Sequence, residues 1–265
     1  MKSLFEREFF FQISALILAF ILVHAIYVAL VRPNAQAVIE QEAIMLEQNL
    51  QPLEAQRSIW VVIKDYEQES CFILMLWAMA IMGYKARRAL LERQLLDRDL
   101  VQIAEGTKIL AEDARKLSRS IEALPEPTAS YLVPRALQTG LQRLDAGSSI
   151  QEVASAIRDV CETESQRLDS ELSMIRYIAW AIPSIGFIGT VRGIGAALAN
   201  AHEAVAGNIA GVTASLGVAF NSTFIALLIS ILIMFLSHQL TLMQERLVLD
   251  SQNYCDRNLL RHIRV

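Results

Sequence analysis

The sequence predicts an all-α integral membrane protein with four transmembrane helices and a long-helix cytoplasmic stalk. Three observations predict it. Of the 265 residues, 54% are hydrophobic, and the mean hydropathy is +0.35, more than a soluble core of this length needs. The apolar residues gather into four runs rather than spreading at helical spacing. Lys and Arg collect at alternate ends of those runs, the pattern of a chain threaded back and forth through a bilayer.

The first run, Phe9 to Val31, has 23 residues and no formally charged side chain. At about 1.5 Å per residue it covers the roughly 30 Å hydrocarbon core. Ala35-Gln36-Ala37 offers a signal-peptide reading, but the run exceeds the usual roughly 7 to 15 residues of such a signal, so an uncleaved anchor is expected. The second, Ser70 to Tyr84, reaches only about 22 Å and needs snorkelling or thinned lipid to span. The third covers Met174 to Leu198 and the fourth Ile209 to Leu236, forming a hairpin around the small polar loop Ala199 to Asn208.

Lys2 and Arg7 precede the first run, and Lys85, Arg87, Arg88 and Arg93 follow the second. Arg167 and Arg176 lead into the third, and Arg246 follows the fourth. The connection between the first two is acidic (Glu40, Glu42, Glu47, Glu54, Asp65, Glu67, Glu69), and the loop between the last two has no Lys or Arg. The positive-inside rule then puts both termini in the cytoplasm and supports the short second span independently.

Four regions follow: 1–84, the first and second spans with an acidic periplasmic connection; 85–173, a cytoplasmic helical stalk; 174–236, the third and fourth spans; and 237–265, a cytoplasmic C-terminal helix. In the stalk, Leu96, Leu100, Ile103, Thr107, Leu110, Ala114, Leu117, Ile121 and Leu124 step by four and three, predicting one long helix that stops at Pro125 and Pro127. A short helix is expected from Pro134 and a turn at Gly147. Ser149-Ile150-Gln151-Glu152 reads as a capping box that opens a second long helix.

A net charge of −4 and a pI near 5.7 give no basic field for nucleic acid. Cys71, Cys161 and Cys255 have neither CxxC nor Cys/His spacing, so no zinc site or disulfide framework is indicated. No nucleophile–base or metal constellation suggests an enzyme, and no cofactor is expected apart from a transported ion.

Polar side chains inside spans are costly and point to helix interfaces or ion pathways. They are His24, Thr190, Arg192, Asn221, Ser222 and Thr223, and no Asp or Glu falls within the four runs. Thr190 shares a face with Gly186, Gly193 and Ala197, and Thr223 with Ala219, Ala226 and Ser230. Gly186, Gly189 and Gly193 are expected to let helix backbones approach closely. Two matching rows in adjacent spans favour a groove for another helix or water over mere packing. Thr190 and Thr223 are therefore the leading pathway residues. Ser222, Asn221, Arg192 and His24 are second-rank candidates for the pathway or a helix interface. Arg192 lies about 200° from Thr190, where snorkelling or a structural pair is the first expectation.

Ile182 to Leu198 (IPSIGFIGTVRGIGAAL) and Ser215 to Ile231 (SLGVAFNSTFIALLISI) resemble the MotA/TolQ/ExbB family of ion-driven inner-membrane motor subunits. The paired first and second spans resemble the flagellar-stator branch in layout. Val218 stands where an ExbB-type glutamate is usual, and Arg192 where a large apolar residue is common. The resemblance implies that Thr190 and Thr223 face the pore. It also implies a homopentamer around two copies of a single-span MotB/TolR/ExbD-like subunit in the bacterial inner membrane. Because hydroxyls do not titrate near neutral pH, the titrating aspartate is expected on that partner. The alternative is a non-conducting membrane scaffold whose stalk recruits a cytoplasmic protein. The sequence does not choose between H+ and Na+.

Overall fold

The computed structural model describes residues 2–47, 58–101 and 108–263, and among them there is no strand. Helix α1 (Lys2–Ile26) passes through a π-helical turn, Tyr27–Val31, into α2 (Arg32–Glu47). Next come α3 (Ile59–Ile63) and α4 (Tyr66–Arg93), followed by a 3-10 turn at Gln94–Asp97. Then follow α5 (Ala111–Glu122), α6 (Leu132–Asp145), α7 (Ile150–Glu171), α8 (Ser173–Ala199), α9 (Ala201–Val205) and α10 (Ala210–Asn258). Among the described residues, four helical runs are long and apolar enough to cross a membrane: Glu8–Gln41, Tyr66–Asp97, Ile150–Ala199 and Ala210–His262. The predicted all-α, four-span class is what the chain adopts.

The π turn has a local cause in Pro33. Proline has no N–H for the carbonyl of Ala29, and its ring would crowd that carbonyl in a regular helix. The wider turn just before it relieves the crowding: Arg32 N–H bonds to the Tyr27 carbonyl, five residues back. Asn34 Nδ2 also donates to the Leu30 carbonyl at 2.6 Å.

The chain divides into two compact units, Met1–Met82 with Met174–Ser237, and Gly83–Ser173 with His238–Val265. In the first, Val23, Tyr27 and Val31 form a buried stripe packed on Ile63, Phe72, Ile73 and Leu76. Trp77 Nε1 donates to the Gln12 carbonyl at 2.9 Å and ties α4 to α1. Phe10, Leu18, Phe187, Phe220 and Ile231 are exposed, an apolar surface of the kind that lipid or other chains cover in a membrane protein.

In the second unit, Ala114, Ile121, Leu137, Leu141, Val153, Ile157, Cys255 and Leu259 form one core. Gly147 turns the chain with φ 81°, and Ser149 then caps α7. Its Oγ accepts from Glu152 N–H at 3.3 Å, while Glu152 Oε2 accepts from Ser149 N–H at 2.8 Å. Glu164 is buried between Arg135, at 3.0 Å, and Arg167.

Three expectations need correction. The seam over Leu96 to Leu124 is not one helix. Ile103 and Thr107 lie outside the described residues, but Arg98 is already extended (φ −100°, ψ 141°) and Leu110 is exposed. Tyr254 holds this stretch, its hydroxyl accepting from Leu100 N–H at 2.9 Å and donating to the Arg98 carbonyl at 2.8 Å. Leu96, Leu100, Ala114, Leu117, Ile121 and Leu124 meet the common core from separate segments. At the C-terminus, no separate helix begins after Leu236, because α10 runs unbroken to Asn258 and nothing in Ser237-His238-Gln239 interrupts its hydrogen-bond ladder. The second span is not short either: α4 starts at Tyr66 and brings Glu67 and Glu69 inside the apolar helix.

Candidate functional site

The site is built from the seam between α8 and α10. Pro183 lies inside α8 and leaves the Ala179 carbonyl without its usual donor; Ser230 Oγ of α10 supplies one at 3.0 Å. One to three turns further along α8 come Gly186, Gly189 and Gly193, all buried against α10. A Cβ on Gly186 would run into Ala226 Cβ, on Gly189 it would lie 2.5 Å from Ser222 Cβ, and on Gly193 2.6 Å from the backbone N of Ala219. Each glycine therefore sets how closely the two backbones approach.

That approach brings Thr190 and Thr223 together. Their hydroxyls hydrogen-bond to each other across the seam. Two carbonyls stand beside them: Thr190 Oγ1 is 3.2 Å from the Ala219 oxygen and 3.3 Å from that of Gly186, and Thr223 Oγ1 is 3.3 Å from the same Gly186 oxygen. Each hydroxyl has one proton to donate, so one threonine donates to the other and the second donates to a carbonyl. Both residues are half-buried, leaving a cluster of four oxygens at the edge of the seam. Such a cluster can hold water or a small cation, but it has no group that changes charge near neutral pH.

Three consecutive residues in the first turn of α4 reach five different helices. Glu67 clamps Arg192 of α8 with two hydrogen bonds, Nε–Oε1 at 2.7 Å and Nη2–Oε2 at 2.8 Å; Asp65 adds a contact at 3.7 Å. Gln68, fully buried, donates to Ser222 Oγ of α10 at 3.4 Å and to the Val62 carbonyl at 3.1 Å. Glu69, also buried, meets His24 Nδ1 of α1 at 2.7 Å and Arg32 of α2.

Of the residues singled out from the sequence, the seam collects Gly186, Gly189, Thr190, Gly193, Ser222 and Thr223. Arg192 points away from the threonines, toward Glu67, and His24 lies on α1 against Glu69. Asn221 is half-buried and takes no part in the threonine hydrogen bonds. Sequence reasoning missed Asp65, Glu67, Gln68 and Glu69 because the second span was started at Ser70. The available signal was Arg192 itself: an arginine within an apolar helix calls for a carboxylate partner, and this acidic turn directly abuts an apolar run.

Residues 129–253 match the MotA/TolQ/ExbB proton channel family. The match takes in α6, α7, α8 and most of α10, with both threonines, and leaves out α1 to α5. No curated protein and no solved structure matches the chain.

Proposed function

We propose that the chain, whose residues 129–253 match the MotA/TolQ/ExbB proton channel family, is a member of that family and the ion-conducting subunit of an energy-transducing motor in the bacterial inner membrane. Ions pass where the Thr190–Thr223 cluster meets a helix of a single-span partner, and the motion of that helix does work elsewhere. The observation that carries this reading is the cluster itself: two hydroxyls and two carbonyls at the half-buried edge of a glycine-tightened seam.

Glu67 and Glu69 do not replace the titrating group of the partner in this reading. Each is already engaged within this chain, Glu67 by Arg192 and Glu69 by His24 and Arg32. The titrating aspartate belongs to the partner, of the MotB/TolR/ExbD type, with two copies inside a pentamer of this chain. Both termini are cytoplasmic, and no cofactor is needed beyond the transported H+ or Na+.

The second reading, a non-conducting scaffold, is favoured by one fact: the threonine hydroxyls satisfy each other, as packing alone would arrange. Proton flux separates the two. Vesicles holding the chain with its copurifying subunits conduct protons under the channel reading. Intact complexes that leave a pH gradient unchanged contradict it and support the scaffold.

A further inference from the structure

Three buried oxygens in the first unit have no hydrogen-bond partner among the described residues: Tyr27 Oη, Asp65 Oδ2 and Gln68 Oε1. Gln68 is fully buried and Tyr27 is 3% exposed. The orientation of the Gln68 amide is fixed by its neighbours. Its nitrogen donates to the Val62 carbonyl at 3.1 Å, a group that only accepts, and to Ser222 Oγ at 3.4 Å, so the oxygen is the end left over. In Asp65, Oδ1 takes both cations, Lys64 at 3.1 Å and Arg192 at 3.7 Å, and leaves Oδ2. A buried polar group without a partner costs more than a hydrogen bond ordinarily gains, so three in one region call for a common cause.

The fold gathers the three residues around the head of α4. Asp65 stands just before this helix and Gln68 lies in its first turn. Tyr27, in the π turn, packs on Ile63 of α3 and on Phe72 of α4, its ring centroid 6.4 Å from that of Phe72, and it interacts electrostatically with Asp65. Because Asp65 precedes the run Tyr66–Asp97, the site belongs to the polar end of that span. Its charges balance: Asp65, Glu67 and Glu69 face Lys64, Arg192 and Arg32. A bound cation would upset that balance. The hydrogen-bonding capacities point the same way, since Gln68 Oε1 and the ionised Asp65 Oδ2 only accept, whereas the Tyr27 hydroxyl can donate. Water has two protons to give and lone pairs to receive, and a buried water makes about three hydrogen bonds. A metal ion would leave the tyrosine proton without an acceptor.

We propose that one ordered water molecule is built into this chain between Tyr27, Asp65 and Gln68. It donates to Asp65 Oδ2 and Gln68 Oε1 and accepts from the Tyr27 hydroxyl. The water joins the π turn of the first span to the head of α4 and, through the Gln68 amide, to Ser222 of α10. None of its three partners is a threonine of the seam, so the site stands whether or not the seam conducts.

The test is cryo-electron microscopy of the full-length chain in lipid nanodiscs, with the subunits that copurify, at a resolution that shows ordered water. Parallel preparations contain sodium or choline salts. The expected result is one peak at about 2.5 to 3.2 Å from all three oxygens in both preparations. A map without such a peak overturns the proposal, and so does a peak present only in sodium, which assigns the site to a cation. Melting temperatures supply a second measurement. Tyr27→Phe and Gln68→Met each remove one partner of the same water, so the double variant is expected to melt lower than wild type by less than the sum of the two single shifts. The two side chains share no direct hydrogen bond, so strictly additive shifts contradict a common ligand. Where a variant does not fold, the wild-type maps decide.

Discussion

Thr190 and Thr223 share one hydrogen bond across the α8–α10 seam, and the Gly186 carbonyl lies within 3.3 Å of both hydroxyls. Losing either hydroxyl breaks the shared bond, and the surviving threonine still has a carbonyl acceptor. Thr190→Val and Thr223→Val are therefore expected to cost about 0.5 to 1.5 kcal/mol each, and the double variant little more than either alone. Denaturation of the detergent-solubilised protein measures this, and strict additivity contradicts the shared bond.

The glycine row predicts a sharper, position-dependent result. Gly193→Ala puts a methyl 2.6 Å from the backbone N of Ala219, which cannot move without the helix, whereas nothing lies within 4 Å of a Cβ on Gly195. Gly189→Ala and Gly193→Ala are expected to destabilise the hairpin by about 1 to 3 kcal/mol. Gly195→Ala is expected to be neutral or slightly stabilising, through better helix propensity. Thermal melting of the three variants checks the contrast.

Arg192 and Glu67 form a two-bond clamp, but half of the arginine side chain is exposed, so its energy is moderate. A double-mutant cycle with Arg192→Gln and Glu67→Gln is expected to show a coupling of about 1 kcal/mol. A coupling near zero contradicts the pairing of α4 with α8 through these residues.

How far the fold could be read from the sequence depended on whether the signal was local. The rows around Thr190 and Thr223 repeat at helical spacing, so their shared faces were legible, as were the Ser149 capping box and the turn at Gly147. The partner of Arg192 was not, because Glu67 is 125 residues away and hydropathy placed it outside the span. The seam from Leu96 to Leu124 misled for a related reason: Leu96, Leu100, Ala114, Leu117, Ile121 and Leu124 pack on a core shared with Cys255 and Leu259, and a heptad count cannot distinguish that from one straight helix. The π turn between His24 and Arg32, which both meet Glu69, had one visible cause in the sequence, Pro33.

In the second unit, Glu164 is 2% exposed and held by Arg135 and Arg167. Glu164→Ala takes this partner from Arg135, while Arg167 keeps Glu171, and is expected to cost about 1 to 3 kcal/mol. Asp145→Ala, which removes the carboxylate from an exposed pair with Arg115, is expected to cost under about 1 kcal/mol. Melting curves that rank the two the other way contradict the buried network.

Proton flux through the assembled complex tests the central claim most directly, with Thr190 and Thr223 replaced together. With subunit stoichiometry unchanged, the double valine variant is expected to lose about tenfold or more of the flux, equivalent to about 1.4 kcal/mol on the barrier. The double serine variant, which restores both hydroxyls, is expected to retain most of it. Wild-type flux through an intact double valine complex would contradict the assignment of the ion path to this seam.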